Sequence, residues 1–143
     1  MFKFILTVVA SVLLYSAPPL TGSLSLTVDN IKYGKGRVWV GIYASADEFL
    51  DREKARLIEV QIDQTGEVTI PVDSLIFGED YALAIFHDLN DNGEVDRNFL
   101  GLPSEPWAFS GEPKTRLRLP RFDEVKFTFD HETSEHVVRL RKW

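Results

Sequence analysis

The 143-residue chain has no cysteine, and this absence narrows its chemistry. Without thiols the chain forms no disulfide, offers no thiolate to a metal ion and has no cysteine nucleophile. Its stability therefore depends on a hydrophobic core alone. A chain of this length is long enough to bury such a core within one domain.

Basic residues are also scarce. The chain has 16 lysines and arginines against 22 aspartates and glutamates, a net charge of −6 with neutral histidines. Nucleic acids and anionic membrane surfaces repel a chain of this sign, so we expect neither as the main partner. Cations, basic proteins and neutral ligands stay open as partners.

Long apolar runs are missing except at the N-terminus. Residues 1–17, MFKFILTVVASVLLYSA, combine Lys3, an uncharged stretch and small residues at the end. This order is typical of a secretory signal peptide, while an uncleaved membrane anchor is the alternative interpretation. We assign residues 1–22 to a signal peptide, with the cleavage site left open, and residues 23–143 to one domain. The protein is then exported to the periplasm or beyond the cell, without membrane contact after cleavage.

Alternation of apolar and polar residues dominates the rest of the chain. Such segments are typical of half-buried β-strands, and glycine-rich turn signals such as the GKG at 34–36 separate them. The pattern predicts an all-β fold, a Greek-key β-sandwich of about seven strands that is immunoglobulin-like or transthyretin-like. Residues 44–57, after the second strand, are predicted to form one short helix or a loop. The predicted strands are LSLTVDNI, RVWVGIY, LIEVQI, EVTIPV, DYALAIFH, VKFTF and HVVRLRK.

The stretch HDLNDNGEVD, residues 87–96, allows two interpretations. The pair Asn92-Gly93 favours a tight type I′ hairpin turn, and a solvated turn needs nothing more. The crowding of acidic side chains favours a cation site instead, because carboxylates this close repel one another unless a positive charge lies among them.

The spacing of oxygen-bearing residues in this stretch is typical of a calcium loop. Calcium prefers about six to eight oxygen ligands, which an acidic loop supplies from alternate positions around a glycine bend. The twelfth position, a bidentate carboxylate in an EF-hand, is Phe99 here, and no helix follows, so the loop is not an EF-hand. The predicted metal ligands are Asp88, Asn90, Asn92, the backbone carbonyl of Glu94, and Asp96, with Asn98 and Glu105 as candidates for the closing ligand.

The long segment after the acidic stretch is predicted to be an ordered loop. Residues 98–120 are rich in proline and poor in regular pattern, and a loop of this length inside a compact domain is often functional. We predict a ligand or partner surface formed by His87, Trp107 and Phe109. No pattern of nucleophile and base is recognisable, and HETSEH departs from the H-E-x-x-H spacing of zinc proteases. We therefore expect no enzymatic activity; a hydrolase is the least favoured class.

The stretch FHDLNDNGEVDRNFLGLPSEPWAFS, residues 86–110, resembles the signature of the DUF2141 family of exported bacterial proteins. LTV at 26–28 and GRVWVGIY at 36–43 are similar to the early strands of that family. The resemblance covers nearly the whole chain after the leader. It implies an exported β-sandwich and groups Glu105 with the acidic loop, but it implies no activity. The family pattern usually continues with an asparagine and glycines where this chain has GEPK at 111–114, so we expect the loop to end differently.

These observations lead to one expected function and one alternative. We expect an exported, non-catalytic β-sandwich that binds a divalent cation, Ca²⁺, in the acidic loop and thereby orders the adjacent long loop. The alternative is a metal-free adhesion module that binds carbohydrate or protein through the same loops and Trp107. The partner in either case is an unidentified protein or glycan.

Overall fold

Two β-sheets form the framework of residues 16–143, the part of the chain that the computed structural model describes. Residues 1–15 of the predicted signal peptide lie outside the described residues. One sheet has three strands in the order β4-β1-β8, and the other has five, in the order β3-β2-β5-β6 with β7 paired to β5. The elements are β1 (Thr21–Ile31), β2 (Arg37–Tyr43), β3 (Arg56–Gln61), β4 (Gly66–Ile76), β5 (Asp80–Asp88), β6 (Trp107–Phe109), α1 (Phe122–Val125), β7 (Phe127–Thr128) and β8 (Glu135–Arg139).

Alternate residues of the strands fill a core shared by both sheets, as the period of two predicts. The alternate aliphatic side chains of β1 and β2 are buried in this core. Each large aliphatic side chain buried in this way stabilises the fold by about 1.5–3 kcal/mol. The predicted all-β class is thus confirmed. The buried residues of these two strands are Leu24, Leu26, Val28 and Ile31 in β1, and Val38, Val40, Ile42 and Tyr43 in β2.

The structure differs from the sequence-based expectation at several elements. The described residues form eight strands rather than about seven, because Trp107–Phe109 in the predicted long loop pairs with the edge of β5. Strand β8 runs parallel to β1. Residues 44–55 form turns, so the loop alternative describes that segment, and the helix lies at Phe122–Val125 instead. Strand β1 begins at Thr21, two residues before the predicted start of the domain.

Strand β5 positions the acidic loop. It lies between β2 and β6, and its last residue, Asp88, pairs with Arg37 at the beginning of β2. The turn before β2 packs closely on this end, since a Cβ on Gly36 would lie 2.0 Å from the carbonyl oxygen of Asp88. Only glycine fits there, and Gly36 also has a positive φ of 74°. No helix among residues 16–143 is long and apolar enough to cross a membrane.

Candidate metal site

Asp88 organises the first half of the acidic loop. Its side chain is fully buried at the end of β5. Oδ1 accepts a hydrogen bond from the backbone N–H of Asn92 (3.2 Å), and Oδ2 accepts one from Gly93 N–H (2.8 Å) and one from Trp39 Nε1–H (3.3 Å). Positive φ angles occur at Asp91 (58°) and Gly93 (76°) but not at Asn92, whereas a type I′ turn needs them at both Asn92 and Gly93. The chain therefore wraps around the Asp88 carboxylate and does not form the two-residue hairpin turn.

Three of the predicted ligands meet on the outer side of this bend. Asn90 Nδ2 donates to Asp96 Oδ2 (2.7 Å), and Asn92 Nδ2 donates to Asp96 Oδ1 (2.9 Å). The amide oxygens accept from backbone N–H groups of the same turn, Asn90 from Asn92 and Asn92 from Glu94. Because an amide group exchanges its oxygen and nitrogen by a half-turn, both positions can also present oxygen towards a cation.

Glu105 joins the two ends of the loop. Its carboxylate is buried, with Oε1 accepting from Leu89 N–H (2.8 Å) and Oε2 from Asp96 N–H (3.4 Å). Burial raises the pKa of Glu105, the two backbone N–H groups oppose this rise, and the charges of Asp96 and Asp88 add to it. The Glu105 carboxyl group is therefore buried close to the carboxyl groups of Asp88 and Asp96.

Basic side chains do not neutralise this group. Within residues 16–143, no lysine or arginine forms an ion pair with Asp88, Asp96 or Glu105. Arg37, at the beginning of β2, pairs instead with Asp91 (3.0 Å) and Glu59 (3.1 Å). The carboxylates of Asp88, Asp96 and Glu105 accept hydrogen bonds from neutral N–H donors, which do not cancel their charge.

The donor set fits a hard cation if amide and backbone oxygens take part. No group of three or more His, Asp or Glu side chains in the described part of the chain is close enough to hold a metal ion by itself. Oxygen donors of mixed type are what calcium accepts, whereas zinc prefers nitrogen and sulfur. Asp88, Asn90, Asn92 and Asp96 are brought together, and Glu105 reaches the same loop from its far end.

Asn98 is not brought to the carboxylates. Its Oδ1 accepts from Leu100 N–H (2.9 Å) and Leu102 N–H (3.1 Å), so its side chain organises a separate turn. The backbone N–H of Glu94 donates to Asn92 Oδ1. The Glu94 side chain is exposed and lines a surface hollow together with Arg97. The structure thus keeps Asn98 out of the predicted ligand set as the loop stands.

The three residues of the predicted partner surface are buried. His87, Trp107 and Phe109 are 0%, 3% and 8% exposed. His87 Nε2 lies 2.7 Å from the carbonyl oxygen of Lys35, which only accepts, so Nε2 carries the hydrogen and Nδ1 is left without a partner. These side chains are thus enclosed, and their role as a contact surface stays a prediction.

Two residues that the sequence did not single out support the loop. The Trp39 indole donates to Asp88, and the Arg52 guanidinium both donates to the carbonyl oxygen of Gly93 and lies 4.9 Å above the Trp39 ring. The alternation of β2 places Trp39 on the outer face. Nothing in the local pattern indicates its pairing with Asp88, because the two residues are far apart in the chain.

One protein family matches the chain over residues 26–137, and its description is "Uncharacterized protein conserved in bacteria (DUF2141)". The match includes strands of both sheets and the whole acidic loop, and it confirms the resemblance seen in the sequence. No curated protein and no solved structure matches the chain.

Proposed function

The chain belongs to the DUF2141 family, and we propose that it is an exported, non-catalytic protein that binds one divalent cation, calcium, in the loop between β5 and β6. The observation that supports this function best is the group of three carboxylates, Asp88, Asp96 and Glu105, that lacks any basic partner among residues 16–143. Asn92 touches two of them, since its N–H binds Asp88 and its amide binds Asp96.

Repulsion between neighbouring carboxylates is large enough to favour a bound cation. Two like charges about 4 Å apart repel by about 1 kcal/mol in water and about 4 kcal/mol near a protein surface. Two of the three carboxylates are buried, so water screens them poorly. A dication among Asp88, Asn90, Asn92 and Asp96 converts this repulsion into attraction, and the loop has the hard oxygen donors that calcium accepts.

An ion in this position would also order the long loop. Asp96 N–H and Leu89 N–H are already tied through Glu105, which stands directly before the segment leading to β6. A cation that draws Asp96 towards Asp88 would hold both backbone segments that Glu105 connects, at Leu89 and at Asp96. The role of the ion is structural: it fixes residues 89–106 against the sheet.

The finer architecture and the compartment belong to the same proposal. A Greek-key arrangement, immunoglobulin-like or transthyretin-like, is supported by the connections β1–β2, β3–β4 and β4–β5, each of which passes from one sheet to the other.

Export to the periplasm or the cell exterior is supported by the pattern of residues 1–17. The N-terminal sequence of the protein recovered outside the cytoplasm tests cleavage of the predicted leader, residues 1–22.

A metal-free module that binds protein or glycan is the second candidate. It is favoured by the N–H donors that already occupy both oxygens of Asp88, Asp96 and Glu105, which close the loop without an ion. A contact role for Trp107 has less support, because that side chain is enclosed.

Calorimetric titration of the chelator-treated protein with CaCl₂ distinguishes the two candidates. We expect one ion per chain with a dissociation constant of about 10⁻³ M or tighter, the range of extracellular calcium modules. Asp96→Asn should weaken binding at least about tenfold, whereas the matched change Asp47→Asn, at an exposed aspartate outside the loop, should leave it unchanged. Absence of heat with calcium, magnesium and manganese at about ten times that concentration would favour the metal-free module.

A further inference from the structure

The outer face of the five-stranded sheet has a trough where two small residues meet. Gly41 of β2 lies opposite Ala84 of β5, one step from the pair Trp39 and Phe86. Those two rings are nearly parallel, with 6.4 Å between centroids and 7° between planes. Tyr43 borders the other side. This outer trough, with Gly41 and Ala84 as its floor and Trp39, Phe86 and Tyr43 as its walls, has a volume of about 300 Å³.

The floor of the trough carries no side chain larger than the methyl group of Ala84. The Tyr43 ring covers its Gly41 end, since a Cβ on Gly41 would lie 3.0 Å from that ring. A smaller cavity of about 60 Å³ extends the trough past Ala84 to Trp107.

Two guanidinium groups at the trough have no anionic partner. Arg52 and Arg97 both line it, and neither forms an ion pair with a carboxylate within residues 16–143. Each donates to a backbone carbonyl, of Gly93 and Gly101 respectively. Glu94 is the one acidic residue in the lining. In a chain of net charge −6, this mainly apolar hollow therefore has an excess of positive charge.

We propose that the outer trough binds a small organic anion with a flat apolar body, in chemical class an aryl carboxylate. The body lies over Ala84 between the aromatic walls, and the carboxylate meets Arg52 and Arg97, whose planar groups suit it. Apolar lining with a few convergent polar groups is typical of small-molecule sites. The trough borders the acidic loop through Glu94 and Val95, but Arg52 and Arg97, the groups that would meet the anion, are not among the predicted metal ligands.

A matched pair of probes tests the class of ligand. The full chain is titrated with 2-naphthoate and, separately, with the neutral 2-naphthamide. We expect naphthoate to bind about tenfold more tightly, because its charge is recognised by guanidinium groups at a partly desolvated position. The double change Arg52→Gln and Arg97→Gln should abolish that difference, and the matched change Arg116→Gln, at an exposed arginine outside the trough, should preserve it.

A second variant tests the place of binding. Ala84→Leu fills the floor and should weaken both probes by more than about tenfold, with the near-ultraviolet circular dichroism spectrum checked for folding. If Ala84→Leu does not fold, the double arginine variant still decides, since it changes only exposed groups. Absence of binding of both probes at millimolar concentration, equal affinity for the two probes, or an unchanged preference in the double arginine variant would each overturn the proposal.

Discussion

Strand β5 begins and ends with an aspartate, and its two ends are stabilised in opposite ways. Asp80, at the beginning, is partly exposed and accepts from Lys126 Nζ (2.8 Å) and Thr128 Oγ1 (2.6 Å). Asp88, at the end, is fully buried and accepts from three neutral N–H groups. The hydrogen bond from Lys126 is the main cause that lowers the pKa of Asp80. Asp80 thus has a lysine as its ion-pair partner, whereas Asp88 has no ion-pair partner within residues 16–143.

The same contrast extends to the neighbours of each aspartate. Beside Asp80, the helix α1 carries Glu124, whose pKa is lowered to about 2, mainly by its hydrogen bond with Arg118. Beside Asp88 lies Glu105, whose pKa is raised, mainly by burial. Acidic residues alone therefore do not define a cation site. Asp88, Asp96 and Glu105 differ from Asp80 and Glu124 in having no ion-pair partner within residues 16–143, and our proposal assigns the missing counter-charge to calcium.

The largest expected effect is the loss of stability on Asp88→Ala. Gly93 N–H and the Trp39 indole lose their acceptor, whereas Asn92 N–H keeps Asn90 Oδ1. Because each donor left without a partner away from water costs about 1–3 kcal/mol, we expect a loss of about 2 kcal/mol or more in the free energy of unfolding. Urea unfolding in the presence of chelator measures it. Asp80→Ala is the matched change at the exposed end of the same strand and should cost less. Equal losses would contradict the contrast between the two ends.

Glu105→Gln should reveal a pH dependence of smaller size. A carboxyl group whose pKa is raised in the folded state favours folding when protonated, so its contribution is present at low pH and is lost as pH rises through the raised pKa. In the metal-free protein, the wild type should therefore lose stability relative to Glu105→Gln as pH rises from the ordinary glutamate range towards neutrality. Urea unfolding of both proteins across that range tests this; a gain of the wild type over the variant would be the wrong sign.

Glu124→Gln should give the smallest effect, with the opposite sign. Since the folded pKa is lowered to about 2, the stabilising contribution is present above the ordinary glutamate pKa and is lost as pH falls towards about 2. The advantage of the wild type over Glu124→Gln should also shrink at high salt, because the Arg118 pair lies near the surface. Thermal melts at neutral and at acidic pH measure the difference. An advantage that grows on acidification would contradict the assignment.

Local pattern predicted much of the fold. The period of two in β1 and β2 places their apolar residues inward, because side-chain direction alternates along any strand. The parallel pairing of β8 with β1 and the docking of Trp107–Phe109 on β5 join residues far apart in the chain, and no local period encodes such contacts. For the same reason, the burial of His87 was not predicted: it depends on the distant carbonyl oxygen of Lys35.

The candidate site divides in the same way. The group of Asp88, Asn90, Asn92 and Asp96 follows from spacing around one glycine bend, which short-range geometry determines. The two N–H bonds of Glu105 agree with its expected place beside the loop. The side-chain oxygen of Asn98 is held by its own turn. Spacing alone does not distinguish a ligand from a residue that satisfies its own backbone.

We propose that calcium supplies the counter-charge that Asp88, Asp96 and Glu105 lack within residues 16–143, and paired thermal melts test this claim. Wild type and Asp96→Asn are melted in chelator and in calcium at about 100 times the dissociation constant, where a bound ion adds about 2.7 kcal/mol and raises the melting temperature by several degrees. We predict the full rise for the wild type and, because Asp96→Asn weakens binding at least about tenfold, at most about half of that stabilisation for the variant. In chelator, Asp96→Asn should be equally stable or slightly more stable, because one repelling charge is gone. Equal melting temperatures of the wild type with and without calcium, or an equal rise in Asp96→Asn, would contradict the claim.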